Sequence, residues 1–270
     1  MPYSLRDNDI ALEQLGRTHY YSDATEAVGF LTRIFDVFTR MVNNFRTVLK
    51  GLRYKFKRSE LRAYHDSHVH AYNHFVTLRY FDPSLSVPIP SGMKVSYLRA
   101  TETLDSLYAT LKIEDTIKSL LDYFTAVSKV GRILPPETTT TTINRLTRDG
   151  TEKTLQQIFT ADKTLEVSLN TVISSFEEVV SVDNHILRYE VLFQKVDGIC
   201  NDLDKIERLI DSIITGLEQQ KTTDKTEVQS LYKLVYTASV QLDMFGVILA
   251  EMQRVEHNFV MVLRRLVEAS

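Results

Sequence analysis

The chain has 270 residues, 43% hydrophobic and 25% charged, with only nine glycines and six prolines. That is the composition of a soluble folded chain rich in long helices, and a net charge of −3 supplies no global basic field of the kind that draws nucleic acid. The single cysteine, Cys200, cannot form an intrachain disulfide, no uninterrupted apolar run reaches the ~18 residues of a membrane span, and the first residues lack the apolar core of a signal peptide. The expectation is one large helical domain or two small ones in a reducing compartment, neither secreted nor transmembrane.

From the N-terminus, Ile10–Leu15 form a short helical patch stopped by Gly16. Ser22 or Asp23 can cap the next helix, with Glu26 three residues after Asp23. Leu31, Ile34, Phe38, Met41, Phe45, Val48 and Leu52 then keep a 3-4 spacing, and Phe35, Val42, Leu49 and Phe56 repeat every seven beside it. A stripe this wide suits the interior of a helical bundle.

The other face of this helix is basic. Arg33, Arg40, Arg46, Lys50, Arg53, Lys55, Lys57, Arg58 and Arg62 stand against Asp36 and Glu60 alone, a local net of +7 that leaves −10 for the rest. Three readings compete: a solvated bundle face, docking on an acidic surface of another subunit, and contact with anionic lipid or nucleic acid. The absence of Trp argues against lipid, since interfacial helices favour it. Tyr54, Phe56 and Tyr64 lie among the charges, but no nucleic-acid module surrounds them, so nucleic acid is not the expected partner.

Four of the seven histidines fall between His65 and His74. On a helix, Asp66, His70 and His74 line up at i, i+4 and i+8, the spacing of a weak candidate metal site. A zinc-protease helix would need Glu after its first His, and a di-iron bundle would need paired Glu-x-x-His turns; neither is present. A polar helix face is the plainer reading, with a pH-sensitive contact as its functional variant.

Phe81–Gly92 holds three prolines and reads as a loop or extended crossover. A helix follows over about 94–131, with Leu104, Leu107, Leu111, Ile117, Leu121, Phe124 and Val127 apolar and Gly131 at its end. Residues 135–150, with Pro135-Pro136 and Thr138–Thr142, read as a linker between a region 1–134 and a region 151–270.

The last region is expected to be an antiparallel helical hairpin with arms at 151–219 and 225–269. Leu192, Val196, Ile199, Leu203, Ile206, Ile210, Ile213 and Leu217 keep an unbroken heptad seam. Lys221–Lys225 interrupts it. Val228, Leu231, Val235, Ala238, Leu242, Phe245, Leu249, Met252, Glu256, Phe259, Leu263 and Leu266 form the second seam. Upstream, Leu165, Leu169, Val172, Phe176 and Val179 continue the first arm, with a three-residue stammer to Val182. An unbroken first arm of about 69 residues would span roughly 100 Å and outrun its partner, so its first third would pack on other helices or another chain. A turn centred near Thr222 sets opposed residues to sum to about 444. That register places Glu256, the one charged seam member, opposite Arg188 as a structural pair, and Cys200 opposite Met244 as a buried thiol.

No dinucleotide, nucleotide or hydrolase motif and no zinc-type cysteine pair occurs, so no enzyme activity, cofactor or small-molecule substrate is expected. The segment Val28–Phe35, running on to Phe56–Arg62, resembles the amphipathic N-terminal part of helical virion structural proteins from large tailed bacteriophages. The resemblance covers about 35 residues and implies a non-enzymatic particle component packed against other copies or other proteins, located in the virion or in the cytoplasm of the producing cell. The expected fold is all-α, an elongated helical bundle with a long antiparallel coiled-coil hairpin. The expected function is that of a structural or assembly protein using its seams and basic face, with a peripheral membrane-binding helical module as the alternative.

Overall fold

The structure is a computed structural model, which describes residues 24–90, 97–131, 164–174, 185–218 and 225–269. These residues are helical apart from one two-stranded ribbon. Helix α1 spans Ala24–Lys55, α2 Arg58–Phe81, α3 Tyr97–Leu111, α4 Ile113–Val130, α5 His185–Glu218 and α6 Lys225–Ala269. Strands β1 (Ser86–Pro90) and β2 (Thr164–Ser168) pair antiparallel. The Ile10–Leu15 patch, the Ser22/Asp23 cap, the 135–150 linker, Phe176, Val179, the stammer at Val182 and the turn at Lys221–Asp224 lie outside the described residues.

The chain folds as two compact units. Unit 1 gathers residues 1–49, 111–145 and 194–246, and unit 2 gathers 50–110, 146–193 and 247–270. These units cut the chain differently from a split at 135–150, because each draws segments from both sides of it.

In unit 1 the predicted stripes supply most of the core, with Val48 and Leu121 only half-buried and Ile113 and Leu120 added. On α1, Leu31, Ile34, Phe35, Phe38, Met41, Val42, Phe45 and Leu49 are buried. On α4, Ile113, Ile117, Leu120, Phe124 and Val127 are buried, as are Val196, Ile199, Leu203, Ile206, Ile210 and Ile213 of α5 and Val228, Leu231, Val235, Ala238, Leu242 and Phe245 of α6. Aromatic contacts join the elements: Phe35 meets Phe124 edge-on at 5.6 Å, Phe30 meets Tyr232 at 5.8 Å, and Phe45 meets Phe245 at 5.6 Å. Each such pair adds about 0.5–1.5 kcal/mol to its area burial.

The helix expected over 94–131 is two helices. They meet at Lys112, whose φ of 49° and ψ of 38° are left-handed. A single residue in that conformation breaks the helical hydrogen-bond ladder. Gly131, at φ 70°, ends α4 as expected, its N–H donating to Val127 O at 2.8 Å.

In unit 2, α1 ends at a break before α2. Phe56 still donates its N–H to Leu52 O at 2.8 Å, but Lys57 adopts φ −57°, ψ 148°, which is extended. Ala71 and Phe75 of α2 then pack with Leu169, Val172 and Ile173, with Leu85 and Val267 at the edge of the cluster.

The expected unbroken arm over 151–219 is not there. Thr164–Ser168 is a strand, residues 169–174 are helical, and α5 is described from His185. The described α5 has 34 residues and α6 has 45, and with Thr164–Ser168 in a strand an unbroken first arm of about 69 residues does not form. The physical reason is local: Leu165 and Leu169 fit a helical stripe, but with Val167 between them they also alternate as a strand does, and Ser86–Pro90 offers them a partner strand.

Candidate functional site

Two kinds of feature stand out from the helical scaffold, an outward basic face and an inward polar cluster. In unit 1, Arg33 and Arg40 of α1 are exposed; in unit 2, Lys50, Arg53, Lys57 and Arg62 are exposed. The side chain of Arg58 lies outside the described residues. Arg46 departs from the expected face. It is half-buried and turned onto α5, where its guanidinium contacts Asp204 and donates to Glu207 Oε2 at 2.7 Å. Burial works against its charge, but the two carboxylates outweigh that and raise its pKa above the ordinary value. Arg46 is therefore a clamp between α1 and α5. The stripe pattern could not separate it from Arg40, because both lie off the apolar face.

The inward cluster lies in unit 2. Glu256 of α6 is 0% exposed and Tyr189 of α5 is 1% exposed. Tyr189 donates its hydroxyl to Glu256 Oε1 at 2.6 Å, the length of a charge-assisted O–H···O bond. Phe56 stacks on the Tyr189 ring at 4.6 Å and 24°, and Phe193 borders Phe56 at 5.7 Å. Tyr64 of α2 is held above its ordinary pKa by burial first, then by the charges of Glu60 and Glu256, with Arg264 opposing. Arg188, the expected partner of Glu256, has a side chain outside the described residues. Among the described residues Tyr189, the neighbour of Arg188, meets Glu256, a contact that the charge-pairing argument did not look for because it sought a cation.

On α2, Asp66 and His70 are exposed and His74 is half-buried, while His68 points into the core. Among the described residues no three His, Cys, Asp or Glu side chains come together to hold a metal ion. Cys200 is half-buried and in no disulfide. Near the end of α2, Tyr80 and Phe81 are 85% and 77% exposed, an aromatic pair that the periodicity did not mark.

One 31-residue stretch of α6, Glu227–His257, is long and apolar enough by length and composition to cross a membrane, although no uninterrupted apolar run marks it; 56% of its most apolar window is buried inside the molecule, the condition of a core helix. No protein-family model, curated protein or solved structure matches the chain.

Proposed function

We propose that the chain is a non-enzymatic structural or assembly protein, a virion component, that packs through coiled-coil seams in a helical bundle and offers a basic helix face to an acidic surface of another subunit. In this reading α5 and α6 form an antiparallel hairpin. The observation that carries the proposal is the division of labour on α1 in unit 1. Its apolar stripe is taken up by the core, with Val48 alone half-buried, and Arg46 is tied to α5, yet Arg33 and Arg40 are left facing outward. Exposed cations on a rigid helix steer and register an acidic partner.

The test is the mass of the purified chain by light scattering at low and high salt, beside the charge-reversed variant Arg33→Glu/Arg40→Glu. The expected result is a species larger than one chain that dissociates with salt and with charge reversal, since such contacts are screened within about 8–10 Å at physiological ionic strength. The alternative is a peripheral membrane-binding module, to which the same exposed cations would bring anionic lipid. A chain monomeric at low salt that sediments with anionic vesicles would overturn the assembly reading in favour of this one.

A further inference from the structure

The register of the ribbon in unit 2 decides which of its edges is open. Leu169 donates its N–H to Leu85 O at 3.0 Å, and the pairing of Ser86 with Ser168 through Pro90 with Thr164 continues the same register. In an antiparallel pair, residues alternate between exchanging both backbone bonds and pointing them away. Leu165 and Val167 therefore turn their N–H and C=O groups to β1, and Thr164, Glu166 and Ser168 turn theirs outward. On β1, Val87 and Ile89 face β2, and Ser86, Pro88 and Pro90 face outward.

The two outer edges are consequently unequal. Pro88 and Pro90 have no N–H, so the β1 edge lacks donors at two of its three outward positions, the usual way of blocking an edge. The β2 edge keeps its donors and acceptors at Thr164 and Glu166. Ser168 closes it at the far end, where its hydroxyl caps the helical segment 169–174 by accepting from Thr171 N–H at 3.4 Å. The sheet has two strands among the described residues, and none of those residues forms a third strand along β2.

We propose that the open edge of β2 pairs with the β2 edge of a second copy of this chain, giving a four-stranded sheet in the order β1-β2-β2-β1. The occupant follows from the chain's own edges. A second copy cannot offer β1, which is proline-blocked, and it does offer a β2 with the same two unblocked positions. Antiparallel pairing of like edges is isologous and closes at two copies, and both outer edges of the resulting sheet are then the blocked ones. Thr164 of each copy faces Glu166 of the other, and the two Leu165 residues meet on the twofold axis. This proposal rests on the assembly reading above and gives it a contact.

The experiment is light scattering of the full chain against concentration, with Glu166→Pro as the variant. Proline there removes an outward N–H that β1 does not use, so the ribbon and the helical circular dichroism should persist. The expected result is a wild-type mass rising from 31.1 kDa towards twice that value, with the dissociation constant raised about tenfold or more by the proline. A second readout does not depend on that variant folding. Leu165→Cys in a Cys200→Ser background places two thiols at a non-hydrogen-bonded pair, about 4.5 Å between Cα atoms, within disulfide reach, and mild oxidation should give a covalent dimer. A wild-type dimer that ignores Glu166→Pro, or Leu165→Cys that stays monomeric on oxidation, overturns strand pairing and leaves assembly through the basic face standing. A dimer sensitive to Glu166→Pro but not to Arg33→Glu/Arg40→Glu supports strand pairing and overturns the basic-face contact. A wild-type chain monomeric at every concentration overturns both.

Discussion

Tyr189 donates its hydroxyl to Glu256 Oε1 across 2.6 Å in a place that water does not reach. A carboxylate in a helix seam is a liability, since its charge must be offset by hydrogen bonds or by a counter-charge. The tyrosine hydroxyl meets part of that demand, and the Phe56 ring stacked on it fixes the donor in place.

Tyr189→Phe should therefore cost about 1–3 kcal/mol, because it deletes the donor and leaves the acceptor buried. In a Glu256→Gln background the same change should cost only about 0.5–1.5 kcal/mol, the worth of a neutral hydrogen bond. Urea unfolding of the four chains measures this cycle. Equal costs in the two backgrounds would show that no carboxylate charge is engaged by the hydroxyl.

Arg46 gives a second prediction. Arg46→Met keeps much of the side-chain length and removes the charge, leaving Asp204 and Glu207 one helical turn apart with no guanidinium between them. The expected loss is about 1–2 kcal/mol, more than an exposed pair contributes because the site is half-buried and engages two acids. Arg46→Lys should recover only part of it, since an ammonium lacks the planar fork that reaches two carboxylates together. Thermal unfolding at low salt reads both; full recovery by lysine would show that charge alone matters.

Glu251 carries a pH dependence. Burial pushes its pKa above the ordinary carboxylate value, and the Arg254 charge and hydrogen bond only partly oppose this. An acid whose folded pKa is raised binds its proton more tightly in the folded state. Its contribution favours folding below the unfolded pKa and is lost as pH rises through the folded one. Glu251→Gln should thus be slightly more stable than wild type at pH 7, with the gap closing as pH falls into the carboxylate range. Unfolding midpoints between pH 4 and 7 test the sign, and a wild-type advantage at pH 7 would mean that the Arg254 contact outweighs burial.

Much of the core was legible in the sequence because helix burial is a local, periodic property. Every described member of the α1 stripe from Leu31 to Leu52 is buried except Val48, which is half-buried, and the α6 seam is buried without a gap from Val228 to Glu256. The ribbon was not legible. Strand pairing of Ser86–Pro90 with Thr164–Ser168 joins residues nearly eighty positions apart, and the i, i+4 spacing of Leu165 and Leu169 drew a helical reading over the alternation that Val167 completes. The Tyr189 contact to Glu256 was not legible either: periodicity gives the stripe, but which residues of the facing helix reach across depends on side-chain geometry.

Two backbone positions close the case for local strain and slack. Lys112 holds a left-handed conformation that costs a non-glycine residue about 1–2 kcal/mol, at an exposed junction between α3 and α4. Lys112→Gly should therefore stabilise the chain, by less than the strain relieved because glycine gains entropy in the unfolded state. Gly246 is the opposite case, a glycine in the interior of α6 with an ordinary helical backbone. A Cβ built there would meet only Phe45 Cδ2, at 3.7 Å, an ordinary contact. Gly246→Ala should raise stability by about 0.5–1 kcal/mol through helix propensity and a stiffer unfolded chain. If alanine at 246 lowers the melting temperature instead, the packing of Phe45 against α6 must be tighter than 3.7 Å allows, and the Phe45–Phe245 contact would be the first to re-examine.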